Sequence, residues 1–320
     1  MQLKPALRSF AAACLVALAL PLLAQNQPIK ILLGFPAGGS VDITARVLAD
    51  KMKDTLGVPV LVENRAGAGG RIAAQAVKDA APDGNTLMLA PFAVMVVQPM
   101  VFKSIKYDTG KDFTALGSVV SFPLALAAGP ATPAKNMREL VDWLRANPDK
   151  ANYGSPAAGS MPHFLGELLA KNANLTLTHV PFQGGAPMVQ NLLGGQISIA
   201  FDTPAEFAEQ HRAGKLRLLA VSSAQRAAQF PEVPTFQEQG IAVDASAWFA
   251  LFGPAAMAPA VSGRINNALQ AALRQADVAE RLGKLGLTIS PSSPDEMTRR
   301  LADDKALWGP PIKASGFMAD

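Results

Sequence analysis

Short apolar runs alternate along this chain with longer stretches whose apolar residues recur every three or four positions. The runs at 29–33, 59–62 and 86–89 have the length and composition of sheet-core strands. Between them, 41–56 and 71–80 read as helices; Ile43, Val47, Leu48 and Met52 give the first one apolar face. Residues 107–113 look like a linker. Beyond it, runs at 124–128, 152–154, 175–180, 197–201 and 216–221 predict further strands. A helix over 136–146 carries Leu140, Trp143 and Leu144 on one face and ends at Asn147-Pro148. After Trp248 the pattern is helical again, at 260–275, 277–285 and 294–307. Such alternation predicts α/β layers. The helical tail is expected to pack back on the first half. Crossings near Ser121–Pro123 and Ala245–Phe249 would then form a hinge.

Several predicted strands run into glycine loops that open helices. The first is Phe35-Pro36-Ala37-Gly38-Gly39-Ser40-Val41-Asp42, where Ser40 stands in the N-cap position. A helix start there leaves N–H groups unpaired at the strand end, a ready anion site. Asp42, in the first helical turn, is expected to be structural. The second loop, Glu63 to Gly70, is no dinucleotide fingerprint, because Ile72 stands where a third glycine would fall. A close-packed tight turn explains it equally well. The third, Tyr153 to Phe164, offers Ser155, Gly159 and Ser160, with Ser160 placed to cap a helix and Pro162 near its start. The fourth, His179 to Pro187, contains Gly184, and the strand over 197–201 ends in Asp202-Thr203-Pro204. Converging on one cleft, these loops would hold a carboxylate with backbone N–H groups and helix dipoles, without an arginine clamp.

Length and composition add to this picture. The chain has 320 residues, 49% hydrophobic and 17% charged, enough for two globular lobes. Lys4 and Arg8 precede the apolar run Phe10 to Leu23, and Ala24-Gln25 suits cleavage of an export signal over 1–24. The only cysteine, Cys14, lies in that segment, so the mature chain has no disulfide or thiolate chemistry. Without Lys4 and Arg8, the 29 basic residues fall to 27 against 25 acidic ones. They are scattered and aromatics are 6%, which argues against nucleic-acid binding.

Together these segments resemble the Bug family of extracytoplasmic solute receptors, which serve tripartite tricarboxylate transporters. The match spans nearly all of the mature chain, through Phe35–Asp42, Glu63–Gly70, Ala81-Pro82-Asp83-Gly84, Tyr153–Phe164, His179–Asp202 and Pro231–Thr235. The resemblance implies a two-lobed α/β periplasmic binding protein of type II-like fold. Each lobe would be a mixed sheet flanked by helices, joined by a two-strand hinge. With the crossings read above, residues 25–122 with 249–320 are expected in one lobe and 123–248 in the other. The resemblance also implies that a small organic acid is bound without chemical change and delivered to membrane transporter subunits. Its contacts map to Ala37, Gly38, Gly39, Ser40, Ser155, Gly159, Ser160 and Asp202.

The chain departs from the family pattern at two places. The stretch Met88 to Met95 is more apolar than the family's polar loop, and Phe182-Gln183 replaces tyrosine-lysine. Ala90 and Phe92 are therefore counted with the ligand residues, with Phe92 or Met95 favouring an aromatic or longer apolar acid; core packing is the alternative. Asp202 would repel a bound carboxylate, so it must accept from an amine, a hydroxyl, water or the loops themselves.

Three histidines occur, His163, His179 and His211, without metal-site spacing. His163, just after Ser160, is placed to brace its loop or touch ligand. No feature calls for a metal or cofactor. A serine hydrolase is the catalytic alternative, but no Gly-x-Ser-x-Gly elbow is present. A receptor that signals to a membrane sensor kinase would look the same in sequence. A monomer is the default expectation.

Overall fold

The computed structural model describes residues 27–243 and 245–319. The expected export signal, with Cys14, lies outside the described residues. Two mixed sheets organise the chain, each flanked by helices.

The first sheet contains β1 (Ile29–Leu33), β2 (Val60–Asn64), β3 (Thr86–Pro91), β4 (Phe113–Pro123), β10 (Ser246–Pro254) and β11 (Thr288–Ile289), in the order β11-β4-β10-β3-β1-β2. The second contains β5 (Ala125–Ala128), β6 (Asn152–Ser155), β7 (Thr178–Pro181), β8 (Ile199–Asp202) and β9 (Arg217–Val221), in the order β7-β6-β8-β5-β9. In each sheet three neighbouring strands pair in parallel, and the remaining pairings are antiparallel. Parallel strands need crossover helices, here α1 (Ser40–Leu56) and α2 (Arg71–Lys78) in the first lobe. In the second lobe the helices are α4 (Met137–Ala146), α5 (Met161–Ala173), α6 (Gly185–Leu193) and α7 (Pro204–Arg212). The short α3 (Gln98–Val101) follows β3 through a wide turn over Ala93–Val97. β1 and β2 pair in parallel up to Leu33 and Asn64, so the first two glycine loops leave the same sheet edge.

Three strands escaped the hydrophobic pattern: the two-residue β11 and two long ones. β4 is buried on both faces for most of its length, so it has no alternation to read. It begins inside the expected linker, where Tyr107 donates to the Val94 carbonyl and is buried. β10 starts at Ser246, so Trp248 already belongs to the first sheet.

The tail returns to the first lobe as α8 (Pro259–Leu273), α9 (Ala276–Gly283) and α10 (Pro294–Ser315). Asn266 donates to the Leu116 carbonyl at 2.7 Å, and Lys51 pairs with Asp277 at 2.7 Å. α10 opens with a full capping box at Ser293 and Glu296. It continues past the expected end at 307, through Gly309 and Pro310, because Trp308 and Ile312 are buried in the core.

The chain crosses between lobes twice, and both crossings meet at Ser222. Leu124 N–H donates to Ser222 Oγ and Ser222 N–H to the Leu124 carbonyl, each at 2.8 Å. Ala245 N–H donates to the Ser222 carbonyl at 2.7 Å, and Ser222 Oγ donates to the Ala245 carbonyl. Ser222 is fully buried.

Candidate ligand cleft

A cleft of about 300 Å³ opens between the lobes. Gly38, Gly39, Ser40, Ile43 and Leu285 line it from the first lobe. Ala186, Val189 and Gln190 of α6, with Ala205, Glu206, Glu209 and Gln210 of α7, line it from the second. Three helix N-termini thus border one space: α1 at Gly39-Ser40, α6 near Ala186 and α7 near Ala205. Their first N–H groups have no intrahelical acceptor, and their dipoles favour negative charge.

The first glycine loop is built differently from the expected capping. Gly39, not Ser40, is the N-cap residue of α1, and no side chain caps that helix. Ser40 is the first helical residue, and its carbonyl accepts from Thr44 Oγ1 at 2.7 Å. Asp42 shapes the loop from within. Its carboxylate accepts from Gly38 N–H at 3.0 Å, from Arg46 through both oxygens at 3.0 Å, and from Asn64 Nδ2 at 2.9 Å. Burial alone would push the Asp42 pKa up, but Arg46, Gly38 N–H and Asn64 outweigh it and hold it below the usual range. Gly38 N–H is therefore committed to Asp42, and Ala37 is exposed beside it.

The second glycine loop is a packing device. A Cβ on Gly34 would meet Gly70 Cα at 2.2 Å, so the two backbones touch. Gln98 Nε2 fastens the loop by donating to the Gly69 carbonyl at 2.7 Å.

In the third loop both serine hydroxyls turn inward. Ser160 Oγ caps α5, accepting from His163 N–H, and donates to the Ala157 carbonyl at 2.7 Å. Ser155 Oγ also donates to the Ala157 carbonyl, at 3.0 Å, and meets His179 Nε2 at 2.7 Å. Gly159 N–H donates to His163 Nδ1 at 3.1 Å, which leaves the His163 proton on Nε2. The His163 and His179 rings stack with centroids 3.9 Å apart, and Phe317 of the C-terminal segment stands edge-on to His163 at 4.4 Å. Burial lowers the histidine pKa values to about 3 for His163, which its neighbour His179 also depresses, and about 4 for His179. Gly159 faces Val101 and Phe102 of the first lobe, so this loop meets that lobe beside the 300 Å³ cleft rather than within its lining.

Gly184 is the N-cap of α6, and its N–H donates to the Pro156 carbonyl at 2.9 Å. Asp202 lies just beneath. A Cβ on Gly185 would stand 2.6 Å from Glu206 Oε2 and 3.0 Å from Asp202 Oδ2, so glycine makes room for both carboxyls. Asp202 Oδ1 accepts from Thr203 N–H at 2.7 Å. Burial, then the charge of Glu206, raise the Asp202 pKa well above the carboxylate range; burial also raises that of Glu206. Gln210 Oε1 and Thr203 Oγ1 are buried with no hydrogen-bond partner among the described residues.

Phe92 and Ala90 lie elsewhere. Ala90 pairs with Ala250 inside the first sheet and is fully buried. Phe92 packs edge-on against Trp248 and Trp308 at 5.5 and 6.0 Å, and Met95 is fully buried, so the apolar stretch fills the core. The cleft residues not anticipated are mainly those of α6 and α7. Glu206, Glu209 and Gln210 lie three and four positions apart on one face, after Thr203-Pro204, a legible helix start.

This geometry can be set beside known proteins. Residues 44–317 match the family model described as tripartite tricarboxylate transporter family receptor. The chain belongs to that family. BugT of Bordetella pertussis is 34% identical over 292 residues, covering 91% of this chain and 90% of that one. The solved structure of MatC (Rpa3494) from Rhodopseudomonas palustris with bound malate superposes with a TM-score of 0.81 at 29% identity, covering 89% of this chain and 98% of that one. R. palustris Rpa4515 with adipate gives 0.85 at 26% identity, covering 91% and 98%. The receptor is thus a Bug-type, two-lobed periplasmic binding protein. Among its described residues no helix is long and apolar enough to cross a membrane.

Proposed function

We propose that this receptor captures a small carboxylate between its lobes and delivers it, unchanged, to a tripartite tricarboxylate-type membrane transporter. The observation that carries the reading is the convergence of three helix N-termini, from both lobes, on one cleft. Their N–H groups and dipoles share the charge of a carboxylate without a cationic side chain. The malate and adipate in related structures support the same ligand class. Ligand touching both lobes favours the closed arrangement by its differential contacts, which is what closure requires. Gly39 and Ser40 supply the first-lobe donors. Gly184, Gly185 and Asp202 set the opposite wall; Ser155, Gly159, Ser160 and His163 hold the loop beside it. The serine hydroxyls are tied up in loop bonds, which speaks against a nucleophilic role. Export would remove residues 1–24 and place the mature monomer in the periplasm.

Gly39 supplies a direct test. Nothing lies within 4 Å of a Cβ added there, and its backbone is extended. Gly39→Asp should cap α1 and hold or raise stability, while its carboxylate repels an acid ligand. Calorimetric titration of refolded, ligand-stripped protein with mono-, di- and tricarboxylates reads the outcome. Expected is selective binding of one acid class, weakened at least tenfold in Gly39→Asp, with an unchanged or higher melting temperature. Binding that survives Gly39→Asp at full strength would remove the cleft from the function.

A further inference from the structure

A second cavity, of about 280 Å³, lies in the first lobe, away from the crossings between lobes. Its floor is apolar: Phe113 and Ala115 of β4, Phe252 of β10 and Leu301 of α10, all buried. Gly110, Thr298 and Ala302 form an exposed mouth. Phe113 and Phe252 sit at the ends of β4 and β10 remote from Ser222, so the cavity is separate from the interlobe cleft.

Two polar groups break the apolar lining. Thr109 is 1% exposed, and its Oγ1 has no hydrogen-bond partner among the described residues. Lys305 is half-buried, and its ammonium group has no hydrogen bond or ion pair among the described residues. Burial lowers the Lys305 pKa, partly offset by the charge of Asp108. That carboxylate is engaged elsewhere: its Oδ1 accepts from Gly110 N–H at 2.8 Å, and its Oδ2 stands 3.9 Å from Lys111 Nζ. A desolvated cation at the rim of an apolar floor is incomplete without an anion.

We propose that this cavity is a second binding site, for a small carboxylate with an apolar body. The apolar body covers Phe113, Phe252 and Leu301, the carboxylate meets Lys305, and the Thr109 hydroxyl donates to it. The volume is at the lower end for ligand sites and limits the occupant to a short-chain or single-ring acid. The site is independent of the interlobe cleft, and its occupant is not the transported one.

Hexanoate is the probe, and hexanamide the uncharged control of matching shape. Amide chemical shifts of the mature, 15N-labelled protein report each site: Gly110 and Ala302 for this cavity, Gly39 and Ser40 for the cleft. Hexanoate should shift Gly110 and Ala302 saturably, with hexanamide about tenfold weaker or worse. Lys305→Met should abolish the difference between acid and amide, Lys305→Arg should retain it, and Ala302→Phe should block both. Gly39→Asp should leave the Gly110 and Ala302 response intact. The proposal is overturned if those two amides stay still, if acid and amide bind alike in the unmodified protein, or if only the cleft amides move.

Discussion

Asp42 illustrates how one buried charge organises a loop. Its sequence position predicted a structural role, and the structure adds a purpose: the carboxylate orders the backbone from Gly38 to the start of α1. Asp42→Ala leaves Gly38 N–H without its acceptor and Arg46 without its carboxylate, and should cost about 1.5–3 kcal/mol in chemical denaturation, the range for hydrogen bonds to charged groups. Ligand affinity should fall with it, because the first-lobe donors are no longer held in place. Phe92 gives the opposite case, a residue of the core rather than the site. Phe92→Ala should cost about 3–5 kcal/mol by cavity formation, yet leave the affinity order of aromatic and aliphatic acids unchanged in titrations. The Ser160 hydroxyl of the third loop is legible as a capping group. The Ala157 carbonyl, which takes the protons of both Ser155 and Ser160, depends on how the loop folds over itself and has no signature in spacing.

At the level of elements, α5 and β7 bring two neutral histidines into a stack. Both have folded pKa values below the ordinary 6.5, at about 3 and about 4. The unfolded chain therefore takes up protons first as pH falls. The stability these residues contribute is complete above about pH 6.5 and is lost as pH falls toward 4 and then 3. Denaturation midpoints should decline across that window, and more shallowly in His163→Gln. Asp202 has the opposite sign. Its pKa is raised, so its contribution is complete below its unfolded value near 3.8 and is lost as pH rises through the folded value. Asp202→Asn should flatten that loss in the same denaturation series. The glycine-to-helix junctions were readable because capping is local. The face of α7 toward the cleft was not, since Thr203-Pro204 closes the strand run over 197–201 and reads as its end.

On the scale of the molecule, Ser222 ties both crossings together, while Phe317 brings the C-terminal segment against α5 of the second lobe. Lobe movement must therefore pivot near Ser222 and slide past Phe317. Ser222→Ala strands buried backbone groups of Leu124 and Ala245. It should cost about 1–3 kcal/mol in denaturation and broaden the ligand-free particle in X-ray scattering. An unchanged midpoint and radius would show that the strands alone hold the crossings. The cleft lining should be unaltered, so any change in affinity would come through closure.

The sequence by itself determined the α/β class, most strands and helices, the glycine loops and the resemblance to a receptor family. These are readable because hydrophobic period, capping residues and turn glycines act over a few positions. Tertiary structure alone decided that Gly38 N–H belongs to Asp42, that the second glycine loop packs on Gly34, and that Phe92 faces two tryptophans. It also set Glu206 beside Asp202 and turned the Ser155 and Ser160 hydroxyls inward. Each of these depends on which distant backbone or side chain arrives at a donor, an acceptor or an apolar face. Local pattern does not encode that arrival; packing of the lobes does.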